Sequence, residues 1–63
     1  MKKGDWVRTP RFLTVKIEMV FPSEREAQEA GFRETTHYWG DPEYGILGKQ
    51  EDVCHMVFAA FRK

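Results

Sequence analysis

Apolar and polar residues alternate from Leu13 onward. Leu13, Val15, Ile17, Met19 and Phe21 fall on one side of an extended chain, and Thr14, Lys16, Glu18 and Val20 on the other. A period of two is that of a half-buried strand, so residues 12–21 are predicted as one long strand with a single inward face. The pattern changes at Pro22. Ser23 precedes Glu26 by three positions, which is the spacing of a capping box, and Glu24 and Glu26 suit the positive end of a helix. Ala27 and Ala30 form a narrow apolar stripe, Gly31 is placed to end the helix, and Phe32 supplies the hydrophobic contact just beyond it. The helix is therefore expected to be about eight residues long and to depend on packing for its stability.

Weaker strand patterns flank this block. Residues 4–9 form a short strand after a Gly-Asp turn, interrupted by Thr9-Pro10-Arg11 because proline cannot donate to a ladder. Thr35 to Trp39 and Tyr44 to Lys49 are two further strands around the turn Gly40-Asp41-Pro42-Glu43. Lys49 to Asp52 is polar and predicts a hairpin loop. Val53 to Arg62 is apolar on both faces, as in a central strand or one at an interface. The expected fold is a single small α+β domain over residues 1–63, with element order ββαβββ. Adjacent strands joined by short turns favour a curved antiparallel sheet of four to five strands. The opening Lys3-Gly4-Asp5-Trp6-Val7 resembles the first strand of SH3-like small barrels, and that resemblance implies an SH3-like half-barrel as one form of the sheet.

Size limits what such a domain can do alone. A chain of 63 residues buries only ~60% of its unfolded surface, so added stability from a partner or from self-association is expected. The two-sided apolarity of the last strand makes a homo-oligomer the natural form of self-association. Cys54 is the only cysteine, which rules out an intrachain disulfide and fits a cytoplasmic location. The basic start Met1-Lys2-Lys3-Gly4-Asp5 lacks the apolar run of a signal peptide, and no stretch is long and apolar enough to span a membrane.

Formal net charge is zero, but the charges are segregated. Residues 1–20 hold five basic and two acidic groups, whereas residues 21–52 hold three basic and eight acidic groups. Overall neutrality argues against a non-specific nucleic-acid coat while leaving room for a local basic face.

Candidate chemistry is sparse. Gly45-Ile46-Leu47-Gly48-Lys49 superficially suggests a phosphate loop, but Glu43 stands where the first glycine belongs and Gln50 replaces the hydroxyl. Gly45 and Gly48 also have the bare spacing of a KH loop. Strand glycines at a bulge explain both better. His37, Cys54 and His55 lack the spacing of a zinc site, and Cys54 and His55 would face opposite sides of a strand. Nothing places His37 beside Cys54 as base and nucleophile, or groups it with Asp41, Glu43 and Lys49 as a hydrolytic set. No catalytic residue, metal site or cofactor is expected.

Binding is the stronger theme. Tyr38, Trp39, Glu43 and Tyr44 cluster around one turn, and exposed Trp and Tyr are favoured anchors at protein interfaces. With neighbouring acidic residues they are the first candidate, a protein-binding surface. The alternative is a nucleic-acid-associated face built from Arg8, Arg11, Lys16 and Arg62, with Trp6 and Phe12 interleaved. Solubility and protection of edge strands also account for such basic residues.

Chain length, Lys3-Gly4-Asp5-Trp6-Val7 and the Ser23-x-x-Glu26-Ala27…Gly31-Phe32 pattern resemble the short proteins carried by bacterial phages and other mobile elements. The first of these segments is also similar to the opening strand of SH3-like barrels. The resemblance implies small protein-binding or nucleic-acid-associated accessory roles, including inhibition of host defence, and assigns no residue a function.

Overall fold

The computed structural model describes residues 1–36, 38–50 and 56–63, with backbone alone over 34–36. Five strands and one helix occur among them: β1 (Trp6–Thr9), β2 (Leu13–Phe21), α1 (Glu24–Glu29), β3 (Glu34–Thr36), β4 (Tyr44–Gln50) and β5 (Met56–Arg62). Lys49 and Gln50 belong to β4, opposite Val57 and Met56, and not to a hairpin loop. Among the described residues no helix is long and apolar enough to cross a membrane.

The sheet is mixed, which corrects the antiparallel expectation. Its spatial order is β1-β2-β5-β4-β3, so neighbours in space depart from neighbours in sequence. Strands β2, β5, β4 and β3 form the four-stranded mixed part, with β2 and β5 parallel and the other pairs antiparallel. Strand β1 adds an antiparallel ribbon on β2. The physical reason lies in β5. Phe58, Ala59, Ala60 and Phe61 are all buried, and only a central strand has both faces covered. The two-sided apolarity of this strand is thus satisfied within the chain.

Two hydrophobic cores lie on opposite faces of the sheet. Val15, Ile17, Ile46, Phe58 and Ala60 form one, with Met1, Val7, Phe12, Tyr38, Tyr44 and Met56 packed against it. Ala27, Phe32, Leu47, Ala59 and Phe61 form the other, beneath α1. A bulge between Ile17 and Met19 lets β2 serve both. An extra residue in a strand reverses the alternation beyond it. Val15 and Ile17 therefore enter the first core, while Phe21 joins the helix-side core. The single inward face expected for β2 is divided at this point. Leu13 and Met19 are exposed instead.

Local signals mark both ends of α1, which runs six residues against the eight expected and is capped at its start, among the described residues, by the Ser23 side chain alone. The Glu26 N–H donates to Ser23 Oγ at 3.3 Å, and the Ser23 hydroxyl donates in turn to the Glu26 carboxylate at 3.4 Å. Gly31 adopts φ 100°. Its N–H donates to the Gln28 carbonyl, and the Phe32 N–H donates to the Ala27 carbonyl. This is a Schellman motif, and its apolar contact places Phe32 in the helix-side core with Ala27.

The ends of the sheet approach each other without closing it. The Trp39 N–H donates to the Arg8 carbonyl at 3.2 Å, tying the segment after β3 to β1.

Candidate functional site

Strand alternation fixes the outward face of the β1–β2 ribbon. Val7 packs on the first core and Thr9 is buried, so Trp6 and Arg8 point the other way. Lys16 lies directly opposite Trp6 in the ladder, and Thr14 opposite Arg8. Trp6 is 67% exposed and Trp39 is 66% exposed. The guanidinium of Arg8 sits over the Trp39 ring, 5.8 Å from its centroid. Arg8 thus neighbours two exposed tryptophans, Trp39 through the ring contact and Trp6 two positions away on the same strand face, with Lys16 opposite Trp6.

The connection that holds this ribbon is well satisfied. Thr9 Oγ1 donates to the Leu13 carbonyl and accepts from the Phe12 N–H, each at 3.0 Å. Arg11 projects over the Phe12 ring at 5.3 Å, and Phe12 in turn packs on Phe58. The loop is therefore anchored from below while its basic side chain stays at the surface.

Turn residues 38–44 are tied together by local hydrogen bonds and partial packing. The Tyr38 hydroxyl donates to the Asp41 carbonyl at 2.6 Å. Asp41 also accepts the Glu43 N–H through Oδ1 at 2.9 Å and the Tyr44 N–H through its carbonyl at 3.2 Å. Burial, and after it the nearby Asp41 charge, raise the Tyr38 hydroxyl above its ordinary pKa. Tyr44 packs against the first core. The Glu43 carboxylate lies 3.9 Å from Arg62, both side chains well exposed. Of Tyr38, Trp39, Glu43 and Tyr44, it is Trp39 that offers a large exposed ring.

Of the basic set, Arg8, Arg11 and Lys16 share the β1–β2 hairpin. Arg62 stands at another corner, opposite Tyr44 in the ladder and beside Glu43. Trp39 and Arg8 came from separate candidate sets, and the fold joins them. Trp6, noted in the sequence as interleaved with basic residues, becomes a principal member of the face. No local signal pairs Trp39 with Arg8, because their contact depends on how the sheet curls.

Other candidates are not assembled into sites. Gly45 to Lys49 form strand β4 in continuous register with β5, not a phosphate loop or a bulge. A Cβ on Gly45 would collide with the Phe61 ring, which accounts for that glycine by close packing. His37, Cys54 and His55 lie outside the described residues. Among the described residues, no group of three or more His, Cys, Asp or Glu side chains is arranged to hold a metal ion. A shallow depression along α1 is lined by Arg25, Gln28, Glu29 and Arg33. Arg25 and Glu29 are paired with each other at 3.4 Å there, and both are largely solvated.

Comparison of the chain with protein families, with curated proteins and with solved structures found no match.

Proposed function

We propose that this protein is a non-catalytic binding module whose contact surface is the outward face of the β1–β2 ribbon together with Trp39. The observation that carries this role is the exposure of Trp6 and Trp39, with Arg8 against the Trp39 ring and on the same strand face as Trp6. Large rigid aromatic rings and arginine are the side chains that most often dominate binding energy. Holding two tryptophans in water on a domain this small forgoes burial that its core needs, since each ring can bury ~150–250 Å². A partner that covers them recovers that burial.

The face differs from the Tyr38–Tyr44 surface favoured by the sequence. Trp39 is retained, while Tyr38 and Tyr44 serve the turn and the core. Arg8 and Lys16 enter from the alternative basic set.

Capture from the native cell tests the role. Wild-type protein and the Trp6→Ala/Trp39→Ala double variant are compared, with recovered proteins and nucleic acids both identified. Gln28→Ala on the exposed side of α1 serves as the control. A partner enriched by wild type and control is expected to fall more than about tenfold with the double variant, and its purified form to show the same loss. Equal recovery by all three proteins overturns the proposed surface.

A further inference from the structure

We infer that the ligand of the Trp6–Arg8–Lys16–Trp39 face is single-stranded nucleic acid. The inference rests on the binding role proposed for that face and adds the class of ligand. Three observations favour it. First, the rings are exposed and neighbour a cation. Every base has a π-face, so exposed rings stack bases without regard to sequence, while interleaved cations track the backbone. Second, residues 1–20 carry five basic and two acidic residues, a surplus of three positive charges in a chain of zero net charge. Three of those five basic residues belong to the ribbon, with Arg8 and Lys16 on the face itself and Arg11 at the hairpin connection. Third, neither acidic residue of this segment opposes the ladder positions of the face. Asp5 accepts the Lys2 backbone N–H at 3.0 Å, and Glu18 lies at the bulge beyond Ile17.

Duplex DNA is a poorer fit. Reading its major groove calls for a basic helix or a two-stranded ribbon that enters the groove. The helix here is six residues long with Glu24 and Glu26 in its first turn. The ribbon presents bulky rings that stack on unpaired bases in preference to lying along paired edges. A protein partner would exploit the same tryptophans but would have to be acidic at this patch to use the positive charge, whereas every nucleic-acid strand carries phosphate.

Titration of the full chain with a fluorescently labelled oligothymidylate of about ten nucleotides tests this directly, since single-strand sites span ~4–16 nucleotides. Binding is expected at low salt, with quenching of tryptophan emission as bases stack. The affinity should fall with a log–log salt slope of about −2 to −3, as contact with roughly three or four phosphates implies. Trp6→Ala and Trp39→Ala should each weaken binding about tenfold at unchanged slope, with Phe at either position restoring much of the loss. Arg8→Ala/Lys16→Ala should flatten the slope. An equally labelled duplex of the same length should bind more weakly. The absence of binding at low salt overturns the nucleic-acid assignment, as does affinity unchanged by both tryptophan substitutions. Loss of a purified protein partner by the tryptophan double variant, with no oligonucleotide binding by wild type, would leave the binding face standing and refute the ligand class alone.

Discussion

Arg8 and Trp39 meet twice: the Trp39 N–H donates to the Arg8 carbonyl at 3.2 Å, and the Arg8 guanidinium lies 5.8 Å from the centroid of the Trp39 ring. The backbone bond draws the segment after β3 to β1, and the side-chain contact then fixes how the indole is presented. An exposed cation–π pair contributes ~0.5–1 kcal/mol. A double-mutant cycle of Arg8→Ala and Trp39→Ala, followed by urea unfolding, should therefore show a coupling of about that size. Additive effects of the two substitutions would mean that the side chains act independently.

Leu13 makes the opposite kind of contribution. It adopts φ 59° and is 71% exposed. The left-handed region costs a side chain such as leucine roughly 1–2 kcal/mol, and little burial offsets it here. Asparagine tolerates that region, and glycine enters it freely at some entropic cost. Leu13→Asn and Leu13→Gly should each raise stability by about 0.5–1 kcal/mol, seen as a higher urea midpoint at unchanged m-value. Leu13→Val should lower it, because branching at Cβ worsens the same clash. A lower midpoint for both Asn and Gly would count against strain at this position.

The glycines of β4 are expected to respond unequally. A Cβ on Gly45 would strike the ring of Phe61, itself almost fully buried. At Gly48 the nearest atoms are Met56 Cε at 3.2 Å and Phe58 Cε1 at 3.3 Å, and the methionine end can yield. Gly45→Ala should thus destabilise by ~1–3 kcal/mol, and Gly48→Ala by less. Replacing the ring with a smaller side chain in Gly45→Ala/Phe61→Leu should cost less than the two single losses combined. Thermal unfolding of the four variants checks both the ranking and the rescue.

These positions also indicate which features are legible in one dimension. The capping residues Ser23 and Glu26 and the terminating pair Gly31-Phe32 act within a single helical turn, so their spacing suffices to place α1. The apolar character of β5 on both faces marks it as doubly covered, and the pairing with β2 and β4 decides for a central strand over an interface. Its parallel partner β2 is less accessible, because the pairing joins segments separated by α1, β3 and β4 and no local turn dictates it. The bulge after Ile17 is hidden for a related reason. Alternation from Leu13 to Phe21 is equally compatible with one face or two, and only the existence of a core on each side of the sheet decides. The binding face shows the same limit. Trp6, Arg8 and Lys16 follow from strand period and pairing, whereas Trp39 joins them through the curl of the whole sheet.

Tyr38 links the turn to solution pH. Its hydroxyl donates to the Asp41 carbonyl at 2.6 Å, and burial together with the Asp41 charge raises its pKa above the ordinary tyrosine value. The protonated form is therefore favoured more in the folded chain than in the unfolded one. Its contribution to stability is fully present below the unfolded pKa of about 10 and is lost as pH rises through the higher folded value. Tyr38→Phe removes both the hydrogen bond and the titration, and near pH 8 it should cost about 0.5–1.5 kcal/mol. The difference between wild type and Tyr38→Phe should hold steady from about pH 7 to about pH 9 and shrink above about pH 10. Comparing the two proteins by urea unfolding at each pH isolates the contribution of the Tyr38 hydroxyl. A gap that persists unchanged to the most alkaline condition would show that the Tyr38 hydroxyl ionises equally well in the folded and unfolded chains.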